Sequence, residues 1–155
     1  MEPREQTQRG RVLALDVGAR RIGLAVSDEM LVTAQGLETI ERTNVREDLA
    51  QVARLAGERG VTLVLVGNPV NMNGEEGRQS VWVREFAEKL RTRCGLTVRL
   101  WDERLTTKEA ERVLRDSGIS RMKRGRAVDR LSAVLLLESY LESISIGGAP
   151  EELPG

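Results

Sequence analysis

The chain has 155 residues, with 24 basic and 24 acidic side chains, one cysteine and no histidine. This length predicts one domain with its own hydrophobic core. The missing histidine and the single thiol exclude Ser-His triads, Cys-His dyads and ordinary zinc sites, and the zero net charge means that nucleic-acid binding would need local basic clusters. A catalyst of this composition would use carboxylates, lysine, hydroxyls or a hard metal ion.

Three features favour a cytoplasmic protein that makes no contact with a membrane. The single cysteine, Cys94, cannot form an internal disulfide, which fits a reducing compartment. The first residues, MEPREQTQRGR, contain no apolar core and therefore do not resemble a signal peptide. The longest apolar runs, such as AVLLLE near residue 135, are too short to cross a bilayer.

The predicted elements begin after a polar N-terminal tail, residues 1–10, which we expect to be disordered. Two short apolar runs, Val12–Val17 and Ile22–Ser27, are separated by GARR, and this pattern predicts an antiparallel hairpin. Residues 31–40 predict a weaker third strand. Asn44 is a predicted N-cap for the helix that follows.

The second half of the chain alternates strands with helices. The predicted elements are a strand at 61–66, a helix at 78–93, a strand at 96–101, a helix from Thr106 or Thr107 to about 116, a basic loop, and a last helix from about Ala127 to Ser143. This order predicts an α/β domain, in which a mixed five-stranded sheet of three antiparallel and then parallel strands carries helices on both faces. We expect the domain to span residues 11–146 and residues 147–155 to form a flexible tail.

Three acidic residues interrupt or end apolar elements, where an unpaired carboxylate is costly. Asp16 ends the first apolar run, Glu103 follows the fifth strand, and Asp129 lies on the apolar face of the last helix. Converging carboxylates repel one another unless a cation lies between them, and Mg²⁺ and Mn²⁺ prefer oxygen ligands. The pattern therefore indicates a divalent-metal site, and a pair of ions would suit phosphodiester cleavage.

Each acid also has an ordinary structural explanation. Asp16 would accept hydrogen bonds from a turn, and Asp129 would lie near the positive end of a helix. Glu103 would pair with Arg99 or Arg104. The coincidence of three acids at inward or strand-end positions favours the metal site, but the residues alone leave both explanations open.

Four sequence blocks resemble the YqgF (RuvX) family of pre-16S rRNA nucleases, also described as Holliday-junction-resolvase-like. The blocks are LALDVGARRIGLAVSD, LVLVGNPVNMNGEEG, DERLTTKEAERVL and VDRLSAVLLLESYL, in this order between Val12 and Glu142. The resemblance implies an RNase H-like fold with one acid on the first strand, one at the end of a later strand and one on a late helix. Asp16, Glu103 and Asp129 match these positions, so the resemblance makes them the catalytic residues and the ligands of Mg²⁺ or Mn²⁺, with a two-metal site expected.

Further residues of the matching blocks are expected to meet the substrate. In the third block, the side chains that would support the site or contact phosphate are Arg104, Thr106 and Thr107. In the second block, Asn71 matches the family's segment, whereas Asn68 and Asn73 replace its usual leucine and aspartate. These departures leave open how this loop meets the substrate, and they do not affect the three acids.

Basic residues near the predicted acids form a second group of expected contacts. The predicted basic loop and the residue after Asp129 supply Arg121, Lys123, Arg124, Arg126 and Arg130, and the first hairpin supplies Arg20 and Arg21. A solvated loop is the alternative, but proximity to the acids favours a phosphate clamp. The shortage of aromatic residues argues against base-specific recognition, so we expect recognition of backbone and shape.

The resemblance implies a metal-dependent nuclease that matures the 5′ end of the 16S rRNA precursor. The runner-up is a junction-resolving DNase with the same chemistry, which would need a symmetric dimer for paired cuts. The residues leave open whether the chain is a monomer or a homodimer. A nucleotide binder of the sugar-kinase or actin type would need two such domains, and a non-catalytic RNA-binding factor in ribosome assembly remains an alternative.

Overall fold

A five-stranded mixed sheet lies at the centre of the structure, a computed structural model that describes residues 10–69, 77–102 and 121–152. In the last of these ranges, side chains are described for residues 127–145. The strands are β1 (Arg11–Val17), β2 (Arg21–Ser27), β3 (Ala34–Glu41), β4 (Val61–Asn68) and β5 (Thr97–Asp102). They lie in the order β3-β2-β1-β4-β5.

The strand directions confirm the predicted sheet. β2 runs antiparallel to both β1 and β3, whereas β4 runs parallel to both β1 and β5. The carboxyl ends of β1, β4 and β5 therefore lie at one end of the sheet, together with the β1–β2 turn, residues 18–20. We call this end the carboxyl end of the sheet. Residues that close the parallel strands meet there, which is where sites of open α/β sheets form.

Helices cover both faces of the sheet, as predicted. Within the described residues they are α1 (Val45–Glu58), α2 (Arg78–Cys94) and α3 (Arg121–Glu152). α1 and α2 pack on one face, to which β1 contributes Leu13 and Leu15. α3 packs on the other face, to which β1 contributes Val12 and Ala14. The alternation along β1 means that each of its side chains faces either α3 or the pair α1 and α2.

The ends of α1 and α2 follow from their capping residues. Asn44 caps α1 as predicted, because its side-chain oxygen accepts a hydrogen bond from the backbone N–H of Glu47 at 2.9 Å. α2 ends at Gly95, whose φ of 70° lies in the left-handed region that glycine adopts without strain. In the parts of the chain that the structure describes, no helix is both long and apolar enough to cross a membrane.

β3 begins later than the sequence predicts, at Ala34 rather than residue 31. The cause is Asp28, whose carboxylate accepts hydrogen bonds from the backbone N–H groups of Val32 and Thr33, both at 2.8 Å. These bonds hold the intervening residues in a turn and lower the pKa of Asp28, chiefly through the Thr33 and Val32 N–H groups. Asp28 is therefore a turn residue, at the opposite end of β2 from the carboxyl end of the sheet.

α3 is longer than predicted at both ends. Its first residue is Arg121, so the backbone of the basic segment that we predicted as a loop, with Arg121, Lys123, Arg124 and Arg126, is helical. Arginine, lysine and methionine are good helix formers, and the single Gly125 costs a packed helix only about 1 kcal/mol. The helix also continues to Glu152, since extending a formed helix needs no new nucleation. The flexibility of residues 147–155 and the domain boundaries stay predictions.

Candidate active site

Asp16 lies on the α3 face of β1, near the carboxyl end of the sheet. It follows Ala14 by two residues, and Ala14 packs under α3, so the alternation of the strand turns Asp16 to the same face. Its side chain is half-buried. Its partner on β2 is Gly23, and residues directly opposite each other in an antiparallel pair point to the same face.

Gly23 brings the backbone of α3 close to this position. A Cβ added at Gly23 would overlap the backbone carbonyl of Asp129, so glycine is the residue that lets α3 lie directly on β2 here. Since Gly23 is opposite Asp16, the structure brings the first and third predicted acids to the same place on one face of the sheet. A second close approach involves the next residue of α3, Arg130, whose side chain lies over Gly36 of β3.

Arg21 binds one of the predicted catalytic acids. Its Nε donates a hydrogen bond to Oδ2 of Asp129 at 2.7 Å, and the two side chains are 26% and 23% exposed. The hydrogen bond to Asp129 and the charges of Asp129 and Glu41 raise the pKa of Arg21. Partial exposure screens the pair, so we assign it no more than about 1 kcal/mol of stability. The structure therefore places Arg21 on the acid itself, whereas Arg20 is exposed in the β1–β2 turn.

The chain leaves β5 at the same end of the sheet. Asp102, the last residue of β5, pairs with Asn68 of β4. Trp101 turns to the α3 face, where its ring makes an edge contact with Tyr140, with 5.2 Å between the ring centroids. The Nε1–H of Trp101 donates a hydrogen bond to the hydroxyl of Ser139. Glu103 comes next in the sequence but lies outside the described residues. For the other predicted site residues, either the whole residue or its side chain also lies outside the described part of the structure. These residues are Asn71, Arg104, Thr106, Thr107, Arg121, Lys123, Arg124 and Arg126.

Arg42, which the sequence pattern did not single out, fixes the turn beside Asp16. The Arg42 guanidinium donates to Oδ2 of Asp48 at 2.9 Å and to the backbone carbonyl of Gly18 at 2.9 Å. It also stacks over the Trp82 ring, with 4.4 Å from Cζ to the ring centroid. The sequence contains one sign of this cluster. Asp48 lies among the apolar positions of α1, as Asp129 lies among the apolar positions of α3.

The donor chemistry of the placed acids fits a hard divalent cation. Asp16 and Asp129 offer carboxylate oxygens, the ligands that Mg²⁺ and Mn²⁺ prefer. Over residues 10–69, 77–102 and 127–145, no group of three or more metal-ligating side chains occurs. The third predicted ligand, Glu103, is absent from those ranges, so the described part of the site consists of two acids and Arg21.

The fold is RNase H-like. Thermus thermophilus RuvC in complex with a Holliday junction substrate superposes with a TM-score of 0.52, at 16% identity over 87% of this chain and 96% of that chain. The fowlpox virus resolvase in complex with Holliday junction DNA gives a TM-score of 0.55, at 16% identity over 86% of this chain and 98% of that chain. Likeness at this level of identity shows the fold.

The sequence comparisons identify the family. Residues 10–143 match the profile of the RuvX family, which is described as Holliday junction resolvase. A Koribacter versatilis protein is 50% identical over 133 residues, which is 86% of this chain and 87% of that protein. A Clostridium novyi protein is 45% identical over 134 residues, covering 86% and 99%. Both carry the name "Putative pre-16S rRNA nuclease". The chain belongs to the RuvX family, as the four sequence blocks predict.

Proposed function

We propose that this chain is a metal-dependent nuclease that processes the 5′ end of the 16S rRNA precursor in the cytoplasm. The observation that carries the proposal is the convergence of Asp16 and Asp129, because Gly23 lets the helix that holds one acid lie on the strand opposite the other. The names of the RuvX relatives supply the RNA substrate. The zero net charge agrees with recognition through local basic groups.

In this proposal, Asp16, Glu103 and Asp129 hold Mg²⁺ or Mn²⁺ at the carboxyl end of the sheet. The bound cation would activate water and stabilise the charge that develops on the phosphoryl oxygens. The half-buried position of Asp16 limits its motion and keeps its carboxylate on the α3 face. The hydrogen bond from Arg42 to the Gly18 carbonyl fixes the β1–β2 turn, which follows Asp16. Arg20, exposed in that turn, would contact a phosphate of the bound strand.

A junction-resolving DNase is the second candidate. The family description and the two resolvases that share the fold favour it. Such an enzyme would act as a homodimer, because resolution of a junction requires two cuts related by symmetry. The nuclease chemistry would be the same, and the two candidates differ in substrate and oligomeric state.

The deciding experiment offers the purified protein a precursor rRNA 5′ leader and a four-way DNA junction, each with Mg²⁺ or Mn²⁺. We expect cleavage of the RNA that requires the metal and falls by at least about a hundredfold in Asp16→Asn. Glu29→Gln is the matched control, because Glu29 is an exposed acid in the β2–β3 turn, away from the carboxyl end of the sheet. Equal cleavage by Asp16→Asn would overturn the proposed site.

The same experiment separates the alternatives. Cleavage of the junction alone would establish the second candidate. Tight binding of RNA by the parent protein, without cleavage in either metal, would mean that the chain is a non-catalytic RNA-binding factor.

A further inference from the structure

A cavity of about 710 Å³ opens at the carboxyl end of the sheet, on the face opposite α3. Its walls include Ala19 of the β1–β2 turn, Val45 at the start of α1, and Arg78 and Trp82 of α2. Ala19 follows Asp16 by three residues. The cavity and the candidate active site therefore lie on the two sides of one short turn.

The charge around this cavity favours an anion. None of its described lining residues carries a carboxylate. The exposed Arg78 is among these lining residues. Both α1 and α2 begin at the cavity, but the first turn of α1 holds Glu47 and Asp48, so the positive helix end that favours an anion is that of α2. The N-cap of α2 is Gly77, which supplies no side-chain cap, and the first turn of α2 holds no acid. Arg42 also lines the cavity, but Asp48 balances its charge.

One wall of the cavity is a fixed aromatic surface. The Arg42 guanidinium lies over one face of the Trp82 ring, with 4.4 Å from Cζ to the ring centroid, and the Phe86 ring centroid is 6.2 Å from that of Trp82. Arg42 is itself bound to Asp48 and to the Gly18 carbonyl, so the guanidinium that flanks the indole is fixed by two further bonds. An aromatic wall beside a cationic group is how proteins bind unpaired nucleotides, with the base on the ring and the phosphate on the cation.

We propose that this cavity binds one unpaired nucleotide of the substrate strand, with its base against Trp82 and its phosphate toward Arg78. The proposal rests on the proposed nuclease function, and it extends the substrate site across the β1–β2 turn. The volume lies within the range of about 300–1,000 Å³ that small-molecule sites occupy. A base held by stacking is bound without regard to its identity, which agrees with the shortage of groups for base-specific recognition. The enzyme would therefore select an unpaired position near the cleavage site.

The test measures binding in the Asp16→Asn background, where the strand stays intact. RNA hairpins with a 5′ single-stranded extension carry 2-aminopurine at each position of the extension in turn. We expect quenching of 2-aminopurine at one position near the cleavage site, and loss of that quenching in Trp82→Leu with about five- to fiftyfold weaker binding. Arg78→Gln should weaken binding about three- to tenfold and lower the slope of the salt dependence by about one.

The matched control is Lys89→Gln, which removes an exposed charge from the same helix, away from the cavity. We expect Lys89→Gln to bind like the parent. Equal binding by Arg78→Gln, Lys89→Gln and the parent, with no position quenched, would overturn the cavity proposal. The nuclease proposal would stand in that case, because it fails by a different result, which is cleavage that survives Asp16→Asn. Thermal unfolding checks that the Trp82→Leu variant is folded. If it is not, the binding of Arg78→Gln and the 2-aminopurine quenching in the Asp16→Asn background still decide the proposal.

Discussion

At the scale of single residues, the ion pair between Arg21 and Asp129 defines the state of the candidate site. The predicted role of Arg21 was contact with phosphate, but its Nε lies 2.7 Å from an oxygen of Asp129. A guanidinium so close to a carboxylate opposes the binding of a second cation to that carboxylate. In the proposed metal site, Arg21 would therefore compete with the ion for Asp129 and would have to move when the ion binds.

This competition predicts the effect of removing the charge. Arg21→Gln should bind Mg²⁺ or Mn²⁺ about three- to tenfold more tightly than the parent, because a cation next to the site is lost. Isothermal calorimetry without nucleic acid measures this affinity directly. Arg20→Gln is the control, because Arg20 is the exposed neighbour in the same turn. Unchanged or weaker metal binding by Arg21→Gln would contradict this competition.

At the scale of elements, the position of α3 on the sheet decides whether the two acids meet. The pattern of the sequence places Asp129 on the apolar face of the helix, and the structure bears this out through the core that α3 forms with β1 and β2. The closeness of α3 to the sheet could not be predicted. It depends on Gly23, which in the sequence is only one small residue within a strand. Only the register of β1 on β2 puts Gly23 opposite Asp16.

Gly23→Ala tests this packing. The added Cβ would overlap the Asp129 carbonyl, so we expect α3 to move outward and the protein to lose about 1–3 kcal/mol of unfolding free energy. Urea unfolding measures the loss, and RNA cleavage should fall with it. Gly57→Ala is the control, since a Cβ there meets nothing within 4 Å and should stabilise α1 by about 0.5–1 kcal/mol. Unchanged stability of Gly23→Ala would contradict the close approach.

The Arg42 cluster joins three elements, since it ties the β1–β2 turn to both α1 and α2. The Arg42 side chain is 9% exposed and that of Asp48 is 0% exposed, so removal of one partner leaves a buried charge. We expect Arg42→Met to cost about 3–5 kcal/mol of unfolding free energy. Arg42→Met combined with Asp48→Leu should cost less than Arg42→Met alone, which urea unfolding of both variants measures. A double variant less stable than Arg42→Met would contradict the burial of an unpaired Asp48 charge.

At the scale of the whole molecule, the order of elements was enough to predict the mixed sheet with helices on both faces. The two apolar runs separated by GARR and the alternation of strands with helices in the second half carry that prediction, because the first pattern predicts an antiparallel hairpin and the second predicts parallel strands. The start of α3 was predicted wrongly, because a dense run of arginine resembles a solvated loop although arginine is a good helix former. The Arg42 cluster was missed because its partners Gly18 and Trp82 are distant in the sequence.

The proposed nuclease activity requires that Asp16, Glu103 and Asp129 form one metal site that cleaves RNA. The most direct measurement is single-turnover cleavage of a precursor rRNA 5′ leader in Mn²⁺ by Glu103→Gln, Asp129→Asn and the control Glu29→Gln. We expect each of the first two variants to lose at least about a hundredfold in rate, whereas Glu29→Gln should cleave like the parent. Parental rates for Glu103→Gln and Asp129→Asn would contradict the proposed metal site.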